Sequence, residues 1–285
     1  MKISVPRLLA TAAAVLATAA ATTVPLSTAT GAPRWAAAET AKITPGVQML
    51  TKGAQCTGNF VFTDAARRTY VGYAAHCAGL GEATDTNGCN TRSHPLGTKV
   101  RFAEGESVAA AGTTVGTGTL VYSSWTTMRK IGTKNADTCA FNDFALVRVN
   151  ARDARKVNPS MPYWGGPTGL RTSGLAAGDQ VFSYGNSSLR AGVTELSPKT
   201  GLSTGDTGGG WSHNVYTATP GIPGDSGSGF LDATGKAFGV VSTVAIAPVP
   251  GENGVGDLAR ELAFAKAHSG IAGLRLVKGT EPFTG

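Results

Sequence analysis

The chain has 285 residues, 25 Lys and Arg against 18 Asp and Glu, a net charge of +7, only 15% charged residues and 39 glycines. That balance excludes a disordered polyelectrolyte and suits a turn-rich β protein better than a helical bundle. It does not make a nucleic-acid site either, because no run of Lys or Arg exceeds two and Arg67-Arg68 falls in a predicted turn; the charge serves solubility and attraction to anionic envelope polymers.

From the N-terminus, residues 1–38 read as an export signal. Lys2 and Arg7 precede the alanine-rich apolar run LLATAAAVLATAAATTV, and small residues between Ala29 and Ala38 offer the cleavage site. No later stretch is long and apolar enough to span a bilayer. The remaining 39–285 form one domain. NFVFTDAARRTYVGYAAH predicts a hairpin, Asn59 to Thr63 and Thr69 to Ala74. Further strands are predicted at Lys99–Ala103, Gly116–Ser123, Asp143–Val149, Gln180–Tyr184, Val215–Thr217, Gly229–Asp232 and Phe238–Val244. So many short strands indicate paired barrels or a sandwich. Two glycine-rich segments, Thr84–Pro95 and Lys199–Gly210, read as surface loops. One helix is predicted, in DLARELAFAKAH, capped by Asp257, stopped by Gly270, and burying Leu258, Leu262, Phe264 and Ala265. The four cysteines include no Cys-x-x-Cys pair, which argues against zinc. In an exported chain they imply two disulfides, with three pairings open. No clustered acidic loop suggests calcium.

The run GIPGDSGSGF at 221–230 poses the functional question, since glycine and serine also make ordinary turns. A serine nucleophile needs a base and a group that orients the base. Of four histidines, His94 precedes Pro95 in a polar loop, His268 ends the predicted helix where a cationic ring suits the dipole, and His213 fits a surface or core position. His76 follows an apolar strand and adjoins Cys77 in YVGYAAHC. In CAFNDFALVRV, Asp143 leads directly into an apolar strand, where a buried carboxylate needs a partner such as a histidine ring N–H.

AAHC, NDFALV and GDSGSG, in the order His76, Asp143, Ser226, together resemble the histidine, aspartate and serine blocks of chymotrypsin-like serine peptidases. The alanine-rich signal and GIPGDSGS look most like the secreted actinobacterial-type branch. The resemblance covers most of residues 55–268. It implies an all-β fold, a double antiparallel β-barrel with a C-terminal α-helix, and a secreted serine endopeptidase acting through an acyl-enzyme. By that resemblance Ser226 attacks, His76 carries the proton, Asp143 holds the ring, and the N–H groups of Gly224 and Ser226 form the oxyanion hole. Ser228 only begins the next strand. The resemblance also selects the pairs Cys56–Cys77 and Cys89–Cys139, and implies a monomer acting on proteins or peptides, with no cofactor, metal, nucleic acid or membrane span after signal removal.

Specificity departs from trypsin-type members, which carry an acid where this chain has Pro220. Ser242 is expected to pair with the substrate backbone and Val244 to narrow the pocket, giving cleavage after small or medium uncharged residues. Asp257 would favour basic residues only if it faced the pocket rather than capping its helix. Val241, where a histidine would precede Ser242, argues against glutamate preference. No Ile-Val-Gly-Gly amino terminus is available to pair with Asp225, so an internal donor such as an arginine is expected. An α/β-hydrolase would need G-x-S-x-G and the serine first in order, and neither holds. The rival from another class is a secreted binding protein that keeps the scaffold without turnover.

Overall fold

The computed structural model describes residues 1–3, 35–81, 85–244 and 251–285, without the side chain of Val244. Most of the predicted signal therefore lies outside the described residues. Among those described, no helix is long and apolar enough to cross a membrane.

Two sheets make up the body, both within the compact unit Pro33–Gly285. The first contains β1 (Gln48–Thr51), β2 (Ala54–Thr57), β3 (Val61–Thr63), β4 (Thr69–Tyr73), β5 (Lys99–Glu104), β6 (Thr113–Ser123), β7 (Ala145–Val149) and β15 (Arg275–Leu276), ordered β15-β3-β4-β7-β6-β5-β1-β2. The chain bends between β2 and β3, where Gly58 bonds Val47 and Asn59 bonds Gly72. One continuous segment thus pairs with β1 at one end and β4 at the other, which completes the ring.

The second sheet contains β8 (Gly169–Leu170), β9 (Gln180–Tyr184), β10 (Pro198–Thr207), β11 (Ser212–Thr217), β12 (Gly229–Asp232), β13 (Lys236–Val244) and β14 (Glu252–Asp257). Its order β12-β9-β10-β11-β14-β13 closes through a β12–β13 pairing into a six-stranded antiparallel barrel. Closure leaves no exposed edge in the ring. Among the described residues three α-helices accompany the barrels: α1 (Ser124–Ile131), α2 (Ala136–Phe141) and α3 (Leu258–His268).

Side-chain alternation explains why the two barrels pack together. In β7, Ala145, Val147 and Val149 face the first barrel's interior while Leu146 faces outward; in β12, Phe230 points into the second barrel and Leu231 outward. The outward residues join Phe62, Tyr70, Phe144, Phe182 and Val240 with Leu258, Leu262 and Ala265 of α3 in one buried cluster. Strands apolar on both faces are what such a double burial requires, each large side chain contributing about 1.5–3 kcal/mol on leaving water.

The predicted Gln180–Tyr184 and Gly229–Asp232 strands coincide with β9 and β12, and α3 carries its predicted cap, with Asp257 accepting the Arg260 N–H. One expectation is corrected: Lys199–Gly210 is not a loop, because Pro198–Thr207 is strand β10, hydrogen-bonded on both sides by β9 and β11. Its Gly-, Ser- and Thr-rich sequence hides a strand specified by its neighbours. Helices α1 and α2, and strands β1, β2, β8, β14 and β15, are additions to the predicted set. Both expected disulfides, Cys56–Cys77 and Cys89–Cys139, are present.

Candidate active site

Antiparallel pairing of β4 with β7, Tyr73 opposite Ala145, puts the end of one strand beside the start of the other. His76 lies on a single 3-10 turn, Ala75–Ala78, just after β4, and Asp143 lies two residues before β7. Their meeting follows from that register. Asp143 Oδ1 accepts the His76 backbone N–H at 2.8 Å, and Oδ2 accepts the ring Nδ1–H at 2.6 Å. The Ser242 hydroxyl donates to the same Oδ2 at 2.6 Å.

Asp143 is buried, while the His76 side chain keeps 24% of its surface open. Burial alone would raise the Asp143 carboxyl, but the His76 ring and the three donors outweigh it and hold the pKa below its ordinary value. Burial would likewise lower His76, yet the facing Asp143 charge and its hydrogen bond raise it above 6.5.

Ser226 comes from the other barrel, just ahead of β12. Its carbonyl accepts the Thr57 N–H at 2.9 Å, and the Cys77 sulfur lies 4.0 Å from the same oxygen. Gly227, at φ +87°, presses against Thr57 O and Ala74 N, a close approach no side chain would permit. These contacts bring the serine turn against the segment that carries His76. Ser226 remains partly exposed, whereas Ser228 is buried at the start of β12.

The peptides before Gly224 and Ser226 are anchored by their carbonyls. Ser187 Oγ donates to Pro223 O, and Ser228 N–H to Asp225 O at 3.0 Å. In a trans peptide the N–H points opposite its carbonyl. Among the described residues, neither the Gly224 nor the Ser226 N–H donates to a backbone carbonyl, unlike those of Asp225, Gly227 and Ser228. Gly224 sits at φ +95°, where a side chain would also strike Gln55 and Ser187.

Asp225 is fully buried beneath this turn, with Arg190 Nη2 at 2.6 Å and Lys199 Nζ at 3.1 Å from Oδ2. The expected internal arginine is there, and a buried lysine joins it. Both cations also bond Pro220 O, at 3.0 and 3.1 Å. The exposed Pro220 therefore marks a loop whose main chain is tied to the ion cluster. Burial first, and repulsion from Arg190, hold Lys199 below its usual range against the pull of Asp225.

Ser242 is the extra residue of a bulge between Val241 and Thr243, so its main chain stands outside the β13–β14 ladder while its hydroxyl reaches Asp143. The Val244 side chain and residues 245–250 lie outside the described residues. Asp257 caps α3 and accepts from His213 Nε2 at 3.0 Å, and Asp206 faces His213 Nδ1 at 2.5 Å. His213 is thus a core residue clasped by two acids.

No protein-family model matches the chain, and no curated protein does. Among solved structures it is similar to Thermobifida fusca Protease A (17% identity, 83% of this chain and 99% of that one, TM-score 0.49), Nocardiopsis protease (19%, 82% and 98%, 0.47) and Cellulomonas bogoriensis chymotrypsin (18%, 82% and 98%, 0.47). The fold itself, two antiparallel β-barrels with a C-terminal helix, stands on the strand pairing of this chain. Three contributors to its candidate site escaped the sequence reading. Trp125 of α1 packs behind the histidine with ring centroids 6.3 Å apart; Ser124 bonds both neighbours of Asp143; Glu261 of α3 bonds Asp143 itself. None lies in a sequence motif: Trp125 stands between Ser124 and Thr126, and nothing local marks any of the three.

Proposed function

We propose that the protein is a secreted serine endopeptidase using His76, Asp143 and Ser226. The observation that carries this reading is the His76–Asp143 pair: a buried carboxylate accepting from Nδ1 leaves Nε2 as the basic nitrogen, on a ring that stays open to solvent. His76 takes the Ser226 proton as Oγ attacks the scissile carbonyl. The imidazolium that forms is stabilised by Asp143 and returns the proton to the leaving amine. The Gly224 and Ser226 N–H groups receive the oxyanion, which removes about 3–4 kcal/mol of barrier per donor at such sites. Water then releases the acyl group by the same steps in reverse roles. The two sulfurs grouped with His76, those of Cys56 and Cys77, are joined in a disulfide, so that cluster offers no thiolate to a metal.

Two disulfides favour an oxidising compartment, in keeping with the leader. Ala36 N–H bonds Val157 O, and Asn158 bonds Ala36 O. A mature chain that keeps those contacts includes Ala36 and so begins at or before that residue rather than at Glu39; N-terminal sequencing of the secreted form checks this. Pro220 and Val244 favour small or medium uncharged residues before the scissile bond, and Asp257, engaged by His213 and the α3 cap, is not offered to a basic side chain.

Fluorophosphonate labelling and cleavage-site profiling on a diverse peptide library test the reading, with Ser226→Ala as control. Labelling at Ser226, with cuts that vanish in the variant, is the expected result. A folded protein that neither labels nor cuts would overturn it.

A further inference from the structure

The main chain around Asp143 is clamped from two helices. Ser124 of α1 donates its hydroxyl to Asn142 O at 2.7 Å, accepts the Phe144 N–H on Oγ at 3.0 Å, and gives its own N–H to Phe144 O at 2.9 Å. The N–H of Asp143 itself goes elsewhere, to Oε1 of Glu261 at 3.0 Å. Glu261 lies in the first turn of α3 with no exposed surface. A helix that follows the last strand of the second sheet thereby reaches the residue paired with the histidine on the first.

We propose that Glu261 is a positioning residue for Asp143, fixing through Oε1 the peptide from which the Asp143 carboxylate is presented to His76. This rests on the reading of His76 and Asp143 as the catalytic pair.

Two neighbouring buried carboxyls do not both ionise readily. Asp143 receives three donors and is the charged one. Glu261 receives a single backbone N–H, and its Oε2 has no hydrogen-bond partner among the described residues. The groups facing it are Asp143, Asp257 at the α3 cap and Tyr122 of β6, whose buried hydroxyl is also unpartnered among the described residues. None is a cation. Burial, and then the Asp143 charge, push its carboxyl well above its ordinary value, which favours the neutral acid. Its influence is therefore geometric: it holds a peptide without adding negative charge behind the histidine. The main chain confirms how tight the fit is, since a methyl group on Gly256 would stand 2.5 Å from Glu261 Oε1.

Glutamine reproduces a neutral acceptor of the same length, and alanine does not. In Glu261→Gln, kcat stays within about twofold of the parent, whereas Glu261→Ala loses about 10- to 100-fold in kcat with little change in KM. NMR titration of the His76 ring supplies a readout independent of turnover. Its pKa stays in place in the glutamine variant and falls in the alanine variant, as the Asp143 carboxylate loses its placement. Gly256→Ala, which pushes on Oε1 from the other side, should repeat the alanine pattern if Glu261→Ala does not fold. An unchanged His76 titration in a folded Glu261→Ala or Gly256→Ala protein would overturn the proposal. So would a fall in Glu261→Gln as large as in Glu261→Ala, because charge rather than position would then be at work. If the parent cleaves nothing, the peptidase reading fails while the His76 titrations still decide the role of Glu261.

Discussion

His76 and Asp143 belong to a half of the molecule that holds both disulfides, whereas Ser226 belongs to a half that holds none and rests on a buried ion cluster. Cys56–Cys77 and Cys89–Cys139 bracket the turn of His76 and the approach to Asp143. On the other side Asp225, Arg190 and Lys199 sit beneath the serine turn and tie in Pro220. A cross-link acts mainly by restricting the unfolded chain. An ion cluster acts only in the folded state and becomes a liability once any member lacks its partner. The two halves of one site should consequently fail under different insults.

The largest effect is expected at Asp225. Asp225→Ala leaves two buried cations without a counter-charge and costs about 3–5 kcal/mol in denaturant unfolding. Labelling of Ser226 is lost with it, because Asp225 also accepts the Ile222 and Ser187 N–H groups that shape the turn. Lys199→Met sharpens the contrast. It leaves Asp225 paired with Arg190 at 2.6 Å and removes an excess buried charge, so stability changes by about 1 kcal/mol or less in either direction. A loss from Lys199→Met equal to that from Asp225→Ala would show the lysine to be the indispensable cation.

The disulfides come next, and they separate stability from function. By loop length, opening Cys89–Cys139, which spans 50 residues, costs about 4 kcal/mol, and opening Cys56–Cys77, which spans 21, about 3 kcal/mol. The order for labelling should be the reverse, since Cys77 follows His76 in the same turn and touches the Ser226 carbonyl. Paired Cys→Ser variants, compared by thermal unfolding and by labelling rate, check both orders.

Legibility in the sequence divides along the same line. The first half announces itself through contiguous signals: an apolar strand ending in AAHC, a carboxylate opening FALV, and cysteines beside both. The support of the second half does not. Arg190 ends a short 3-10 turn, 35 residues before Asp225, and Lys199 lies in a strand that reads as a loop, so no local signal announces their convergence, which the packing of the second barrel sets. Glu261 is invisible for the same reason: its i, i+3 neighbours describe an ordinary amphipathic helix, and 118 residues separate it from Asp143. The disulfide pairing came through resemblance to a family, since four cysteines by themselves leave three pairings open.

Acid and alkali should pull activity and stability apart. In the proposed role of general base His76 must be neutral, and its pKa is raised, so kcat/KM should fall as pH drops through a value above 6.5. Stability has the opposite sign. A raised histidine contributes fully below 6.5 and its contribution is lost as pH rises through the folded value; the lowered Asp143 contributes above 3.8 and is lost as pH falls through its folded value. The pair therefore stabilises most between those limits, below the range in which the proposed mechanism would have it active. Parallel pH profiles of unfolding and of kcat/KM check the separation, and coincident maxima would contradict it.

The smallest effect tests whether the second half uses charge even away from the serine. Asp257 does two things at once, capping α3 through the Arg260 N–H at 2.8 Å and facing His213 Nε2 at 3.0 Å. Alanine removes both functions, whereas asparagine keeps a side-chain oxygen for the cap. Burial would lower His213, but hydrogen bonds to Asp257 and Asp206 raise it above 6.5, so its contribution is present at acidic pH and fades as pH rises through the folded value. Asp257→Ala should then lose about 1 kcal/mol at alkaline pH, the worth of the cap, and more at pH 5. Asp257→Asn should match the parent at alkaline pH and fall below it only in acid. An equal loss at both pH values in the asparagine variant would mean that His213 is held neutral between its two acids and that packing against Phe238, at 5.4 Å between ring centroids, is what places it.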